Sequence, residues 1–231
     1  MQASAPPPYG YQDLERLMTM MTGDEKHSTS ATSTLDVVWT LYDSVLNVSS
    51  DAPEAPERDR FLLSKGHGPM AYYAVLAAKG FIPVEQLANF GEFDSPLGHH
   101  PDSNLIPGVE IAGGSLGHGL PIAAGMASAL RLKGMTEPRV FCLLGDAELD
   151  EGSNYETIAF AGQLGLDRLT TIVMDNGSAS HDWPGGIQAR FEVEGWSSAM
   201  VNGRDHEDIL TGLLQPHTGQ PHVLVAKVES K

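Results

Sequence analysis

A single cysteine, Cys142, stands among 231 residues, so no disulfide can form within the chain. It lies in the apolar run "RVFCLLG", where a buried, inert thiol is expected. Basic residues are also scarce, with 14 Lys and Arg against 30 Asp and Glu and a formal charge of −16. Nucleic acid and anionic membranes both reward basic surfaces, and neither is expected as a partner. Such a surface would also repel a diphosphate unless a cation intervened. Long apolar runs are missing. Residues 115–130, "SLGHGLPIAAGMASAL", are small and apolar but too few for a membrane span, and they are read as a buried helix. The start, "MQASAPPPYGYQD", has neither the basic opening nor the apolar core of a signal peptide, which points to the cytoplasm. No internal repeat is present. The glycines at 113–119 lack both the strand-linked G-x-G-x-x-G of a dinucleotide site and the Lys-Ser/Thr of a P-loop. Adjacent His99 and His100 have no carboxylate or cysteine at zinc-ligand spacing.

What remains is a 41% hydrophobic chain long enough for one sizeable α/β domain. Residues 1–10 are Pro-rich and read as a flexible arm, and 11–231 as the domain. "YQDLERLMTMM" has helical spacing, and "STLDVVWTLYDSVL" reads as an amphipathic helix capped by Ser33 or Thr34. "FLLS" is a short strand that stops at "KGHG", and "PMAYYAVLAAKG" a helix opening on proline and closing on glycine. A short helix, "PVEQLANFG", precedes a loop longer than the usual connection. Beyond the glycine turn, strand and helix alternate: "RVFCLLG", "SNYETIAFAGQLG", "LTTIVMD", "HEDILTGLL" and "HVLVAKV". Near-continuous apolar strands between helices indicate a parallel sheet covered on both faces.

"LLGDAELDEGSNYE" ends one such strand and then crowds Asp146, Glu148, Asp150 and Glu151 together. A solvated helix start would explain them, since acids favour a helix N-terminus. A metal site is the sharper alternative. Asp146 and the Asp175-Asn176 pair end consecutive strands joined by one helical crossover, which brings their carboxyl ends to the same edge. A carboxylate, an amide oxygen and a loop carbonyl make half an octahedral set for Mg²⁺, which takes its other oxygens from water or phosphates. The cation would then let an acidic chain hold a diphosphate.

"GDAELDEG" followed by "MDNG" resembles the thiamine diphosphate motif, and "DRFLLSKGHG", "LGHHPDSNLIPGVEIAGGSLGHG" and "AAGMASAL" resemble, in order, blocks of the transketolase N-terminal half. The resemblance runs from about residue 11 to 228. It implies the diphosphate-binding fold, with thiamine diphosphate and Mg²⁺ or Ca²⁺ as cofactors. Carried across, Asp146, Asn176 and the carbonyl of Ser178 would ligate the metal. Gly145, Gly114 and Leu116 would line the cofactor through backbone groups, as glycines before a helix permit. His67 and His100 match histidines that face the thiazolium and handle substrate protons, and His27 falls near another active-site histidine. Glu151 matches an acid at the subunit interface near the pyrimidine, and His118 stands either as a cofactor contact or as a cap. His99, His181, His206, His217 and His222 are read as surface residues.

Some positions depart from the family pattern. Ala147 replaces the second glycine of Gly-Asp-Gly, Ser28-Thr29 replaces Pro-Gly after His27, His118 replaces glutamine, and Ser180 replaces an apolar residue. The resemblance implies further that the activating glutamate belongs to a following domain not found here. The chain is therefore expected to be the small subunit of a split transketolase, an α₂β₂ assembly whose second subunit carries the pyrimidine-binding half. It would move a two-carbon ketol unit from a ketose sugar, phosphorylated in the expected case, to an aldehyde. A thiamine-dependent subunit that works on 2-oxo acids and a non-catalytic scaffold are the alternatives.

Overall fold

The computed structural model describes residues 9–23, 29–181 and 183–230, with the side chain of Ser30 left out. His27 and most of the expected N-terminal arm lie outside these residues. In chain order the elements are α1 (Leu14–Thr19), α2 (Thr29–Thr32), α3 (Leu35–Thr40), β1 (Arg60–Leu63), α4 (Pro69–Ala78), α5 (Gly119–Leu132), β2 (Val140–Gly145), α6 (Gly152–Gln163), β3 (Leu169–Asp175), α7 (Gly186–Glu192), β4 (Ser197–Asn202), α8 (His206–Leu213) and β5 (His222–Lys227). The five strands form one parallel sheet in the order β1-β2-β3-β5-β4.

Side-chain alternation along each strand divides the core into two layers. Phe141 and Leu143 of β2, with Ile172 and Met174 of β3, face a layer built with α1, α3, α4 and α8. Val140, Cys142 and Leu144 face the opposite layer, packed with α5, α6 and α7. Every residue of β2 is buried, which explains why that strand is apolar throughout rather than alternating. Pro69 opens α4, where a missing N–H costs nothing, and all ten residues of this helix are buried.

Several expectations change. Thr34 precedes α3, but its side chain makes no capping bond and its backbone is already helical. After Thr40 the helix widens into a π-turn at Leu41–Val45. The segment at 115–130 is buried on one face only: Leu120, Ala123, Ala124, Ala127 and Leu130 of α5 are buried, while Ile122 is 41% exposed and a Cβ at Gly125 would meet nothing, and Leu132 at the helix end is 87% exposed. His222 is fully buried in β5 rather than on the surface. His206 is half-buried and bonded through Nε2 to Asp36 at 2.9 Å, beside an Arg204–Asp36 ion pair of the same length.

Candidate active site

In a parallel sheet the carboxyl ends of the strands share one edge, and register fixes which residues meet there. Gly145 of β2 lies opposite Met174 of β3, so Asp146 and Asn176 leave the sheet side by side. Asp146 is only 1% exposed. Its Oδ1 accepts from the Ala147 N–H at 2.9 Å and the Ser178 hydroxyl at 2.6 Å. Its Oδ2 accepts from the Ser178 N–H at 2.7 Å and the Ala179 N–H at 3.3 Å. The Asn176 side-chain oxygen accepts from the same Ser178 N–H at 3.2 Å. All four donors to Asp146 are neutral, so they solvate its charge without cancelling it. A buried carboxylate beside an amide oxygen suits a hard cation such as Mg²⁺ or Ca²⁺, which prefers oxygen ligands.

This edge borders a cavity of about 560 Å³. Asp146, Asn176, Ser178 and Gly145 line it together with His67, His100, Gly114 and Leu116. The histidines come from loops that follow β1 and precede the glycine turn, so loops set on a rigid sheet supply the polar groups. His67 and His100 are exposed into the space. Gly114 has a positive φ of 105°, and a Cβ there would come within 2.7 Å of the His100 ring. Only glycine lets the turn pass so close to that imidazole. His99 also lines the cavity, and its ring packs edge-on to Phe90 at 5.3 Å.

Of the acidic cluster only Glu151 stands exposed at a helix start; Asp146 and Glu148 are buried and Asp150 is half-buried. Glu148 is 1% exposed, and its Oε1 accepts from the Gly117 N–H at 3.0 Å and from the Ser64 hydroxyl. Burial pushes its carboxyl above the usual range, opposed by those hydrogen bonds. Asp150 accepts from the Ser180 N–H at 2.9 Å and so ties the loop after β3 to the turn after β2. Lys65 is a further polar group to which the sequence pattern assigns no role. It is buried, lines the same cavity, and donates to the His67 carbonyl. The signal for it is its place inside "SKGHG", at the end of an apolar strand.

Two expected cofactor residues lie off the cavity wall. His118 is exposed before α5 and makes no capping bond, while Glu151 is exposed before α6 with its side chain against Gly117. They share the rim with the half-exposed Leu116. Among the described residues there is no group of three or more His, Cys, Asp or Glu placed to hold a metal ion. No described helix is long and apolar enough to cross a membrane.

Comparison with known proteins agrees with this architecture. The family described as "Transketolase, thiamine diphosphate binding domain" matches residues 17–227. A protein of Rhodococcoides fascians named "Ferredoxin fas2" is 55% identical over 223 residues, covering 96% of this chain and 73% of that protein. This sequence, with one buried cysteine, has no thiolate set for an iron–sulfur cluster. An apulose-4-phosphate transketolase subunit of Actinobacillus succinogenes is 36% identical over 208 residues, covering 87% of this chain and 75% of that one. Human transketolase shares the same identity, but the chain spans only 33% of its length. The crystal structure of transketolase from Campylobacter jejuni superposes with a TM-score of 0.76 at 25% identity, over 95% of this chain and 38% of that one.

Proposed function

We propose, for a chain that belongs to the transketolase thiamine diphosphate-binding family, the role of diphosphate-binding subunit in a two-chain ketol transferase. The donor is a ketose sugar, phosphorylated in this reading, and the acceptor an aldehyde. The observation that carries it is that Asp146, Asn176 and Ser178, joined by hydrogen bonds, line the same cavity as His67 and His100. A scaffold would need none of these polar groups gathered around one space.

Asp146, Asn176 and the Ser178 carbonyl would hold Mg²⁺ or Ca²⁺, and backbone groups of Gly145, Gly114 and Leu116 would line the diphosphate. Bound there, thiamine diphosphate supplies the carbon nucleophile and electron sink that ketol transfer requires. His67 and His100 hold and move protons at the donor's carbonyl oxygen and neighbouring hydroxyl, work suited to imidazole near neutral pH.

A second polypeptide would complete the site with an activating carboxylate and a pocket for the pyrimidine. In support, two relatives are themselves named as transketolase subunits, which implies a companion chain for each. The exposed Ile122 and Leu132 on α5, with Leu116 beside Glu151, give such a chain an apolar face to cover. An α₂β₂ assembly in the cytoplasm fits this reading. Co-expression with a gene encoding a transketolase C-terminal half, followed by a ketose–aldose assay, tests it. Transfer should require both thiamine diphosphate and Mg²⁺. A pure complex that transfers nothing from any phosphorylated or free ketose, or that decarboxylates only 2-oxo acids, would overturn it.

A further inference from the structure

We propose that Glu148 is the positioning residue of the glycine turn, the carboxyl group that fixes residues 114–119 in the shape a cofactor diphosphate would meet. Three chain segments converge on it. Its Oε1 accepts from the Gly117 N–H at 3.0 Å and from the Ser64 hydroxyl at the end of β1. Ser64 Oγ accepts in turn from the Gly119 N–H at 3.1 Å, which opens α5. From the other side, Ser153 of α6 donates to the Gly117 carbonyl at 2.6 Å, and Asn154 donates to the Glu148 carbonyl at the same distance. A ring of hydrogen bonds therefore joins the end of β1, the glycine turn, the turn after β2 and the start of α6.

The turn has little else to hold it. Gly114 and Gly117 both have positive φ, and glycine backbones resist fixing because of their many accessible conformations. Apolar side chains cannot anchor N–H groups, and a water would give a looser link than a side chain set by the sheet. Glu148 meets this need at a cost, since its Oε2 is buried with no partner among the described residues. An apolar residue at this depth would avoid that cost, so the carboxyl is accounted for by the turn it holds. The same side chain lines the cavity, two residues from Asp146. Only the effect on cofactor binding rests on the proposed function; the shape of the turn does not.

Hydrogen exchange of the full chain separates these claims. In Glu148→Met, of similar size but without an acceptor, exchange in the peptide spanning 114–120 should quicken about tenfold, the effect of losing one ordinary hydrogen bond. Peptides from β2, β3 and β5 should keep their rates. Glu148→Gln retains an acceptor at Oε1 and should stay within about threefold of the parent. With the companion chain present, calorimetry should show thiamine diphosphate binding weakened about tenfold or more in the methionine variant and largely restored in the glutamine variant. Unchanged exchange at 114–120 in Glu148→Met would overturn the proposal, as would equal acceleration across the whole sheet. If that variant does not fold, Ser64→Ala decides, because it removes the hydroxyl that joins Glu148 to the Gly119 N–H: faster exchange confined to 114–120 supports the proposal and no change refutes it. A parent complex that binds no thiamine diphosphate refutes the functional reading alone, while the exchange result still stands.

Discussion

Asp146 concentrates four neutral hydrogen bonds on one buried carboxylate, and this sets what its loss should do. In Asp146→Ala the charge that would hold the cation is gone, and a diphosphate meets an acidic chain unscreened. Metal-dependent cofactor binding should vanish in calorimetry on the assembled complex. Asn176→Ala removes a neutral ligand and should weaken binding less. Ser178→Ala should bind nearly as the parent does, since its proposed ligand is the backbone carbonyl; equal affinity for the Asp146 variant and the parent would remove the site assignment. His67→Ala and His100→Ala act at a different step. They line the cavity without bonding to the Asp146 cluster, so turnover should fall by about 10²–10⁴-fold, the usual worth of an acid–base group. Cofactor affinity should change much less. Near-parent turnover with every active donor would make either histidine structural. These residues are legible in sequence because each ends an apolar strand or sits in a glycine-flanked loop. Glu148 and Lys65 are not, because charge in sequence reads as solvent exposure, and only the packed turn reveals that both are buried.

At the scale of elements, legibility follows burial. β2 and β3 are buried along nearly their whole length, and their bounds can be read from sequence. β4, "SSAMVN", is an edge strand with a single buried residue, so neither an apolar run nor a clean alternation marks it. Short α7 opens on two positive-φ glycines, Gly185 before it and Gly186 as its first residue, and is hidden in the same way. β5 carries a feature no pattern would show. His222 is fully buried, with Nδ1 bonded to Ser197 Oγ at 2.6 Å and Nε2 to the Gly212 carbonyl at 3.1 Å. Burial, with the stacked His217 ring adding to it, pushes this imidazole down from 6.5 to about 4. Above pH 6.5 the folded and unfolded chains both leave it neutral, and it imposes no penalty. As pH falls below 6.5 the unfolded chain takes up a proton that the folded one refuses until about pH 4. Stability should therefore drop across that window and then level off, by about 3 kcal/mol from this group. Urea unfolding at several pH values between roughly 7.5 and 4, comparing the parent with His222→Gln, isolates the contribution. Parallel pH profiles for the two proteins would show that His222 is not responsible.

The whole molecule raises a question of completeness, because its cavity opens beside surface that a folded domain normally covers. Leu116 and Ile122 are each 41% exposed, and Leu132 more so, all around the entry to α5 and along its outer face. Glu151 stands exposed on the same rim, against the turn that Glu148 holds. A surface carrying −16 overall repels a copy of itself at long range, so apolar contact and a complementary partner must supply the attraction. The proposed companion chain would bring the pyrimidine pocket and its carboxylate to this rim. The purified chain alone should then be catalytically silent and bind thiamine diphosphate poorly. Adding the companion should restore both and give a particle with two copies of each chain, as native mass spectrometry would register. Ile122→Asp should block assembly, because it sets a charge in the apolar patch, and it should leave circular dichroism of the isolated chain unchanged since the residue faces solvent there. Glu151→Ala should impair activation or assembly with the same indifference to folding. Full ketol transfer by this chain in a preparation free of any second polypeptide would show that the site is complete as it stands, and that the exposed stripe of α5 serves some other contact.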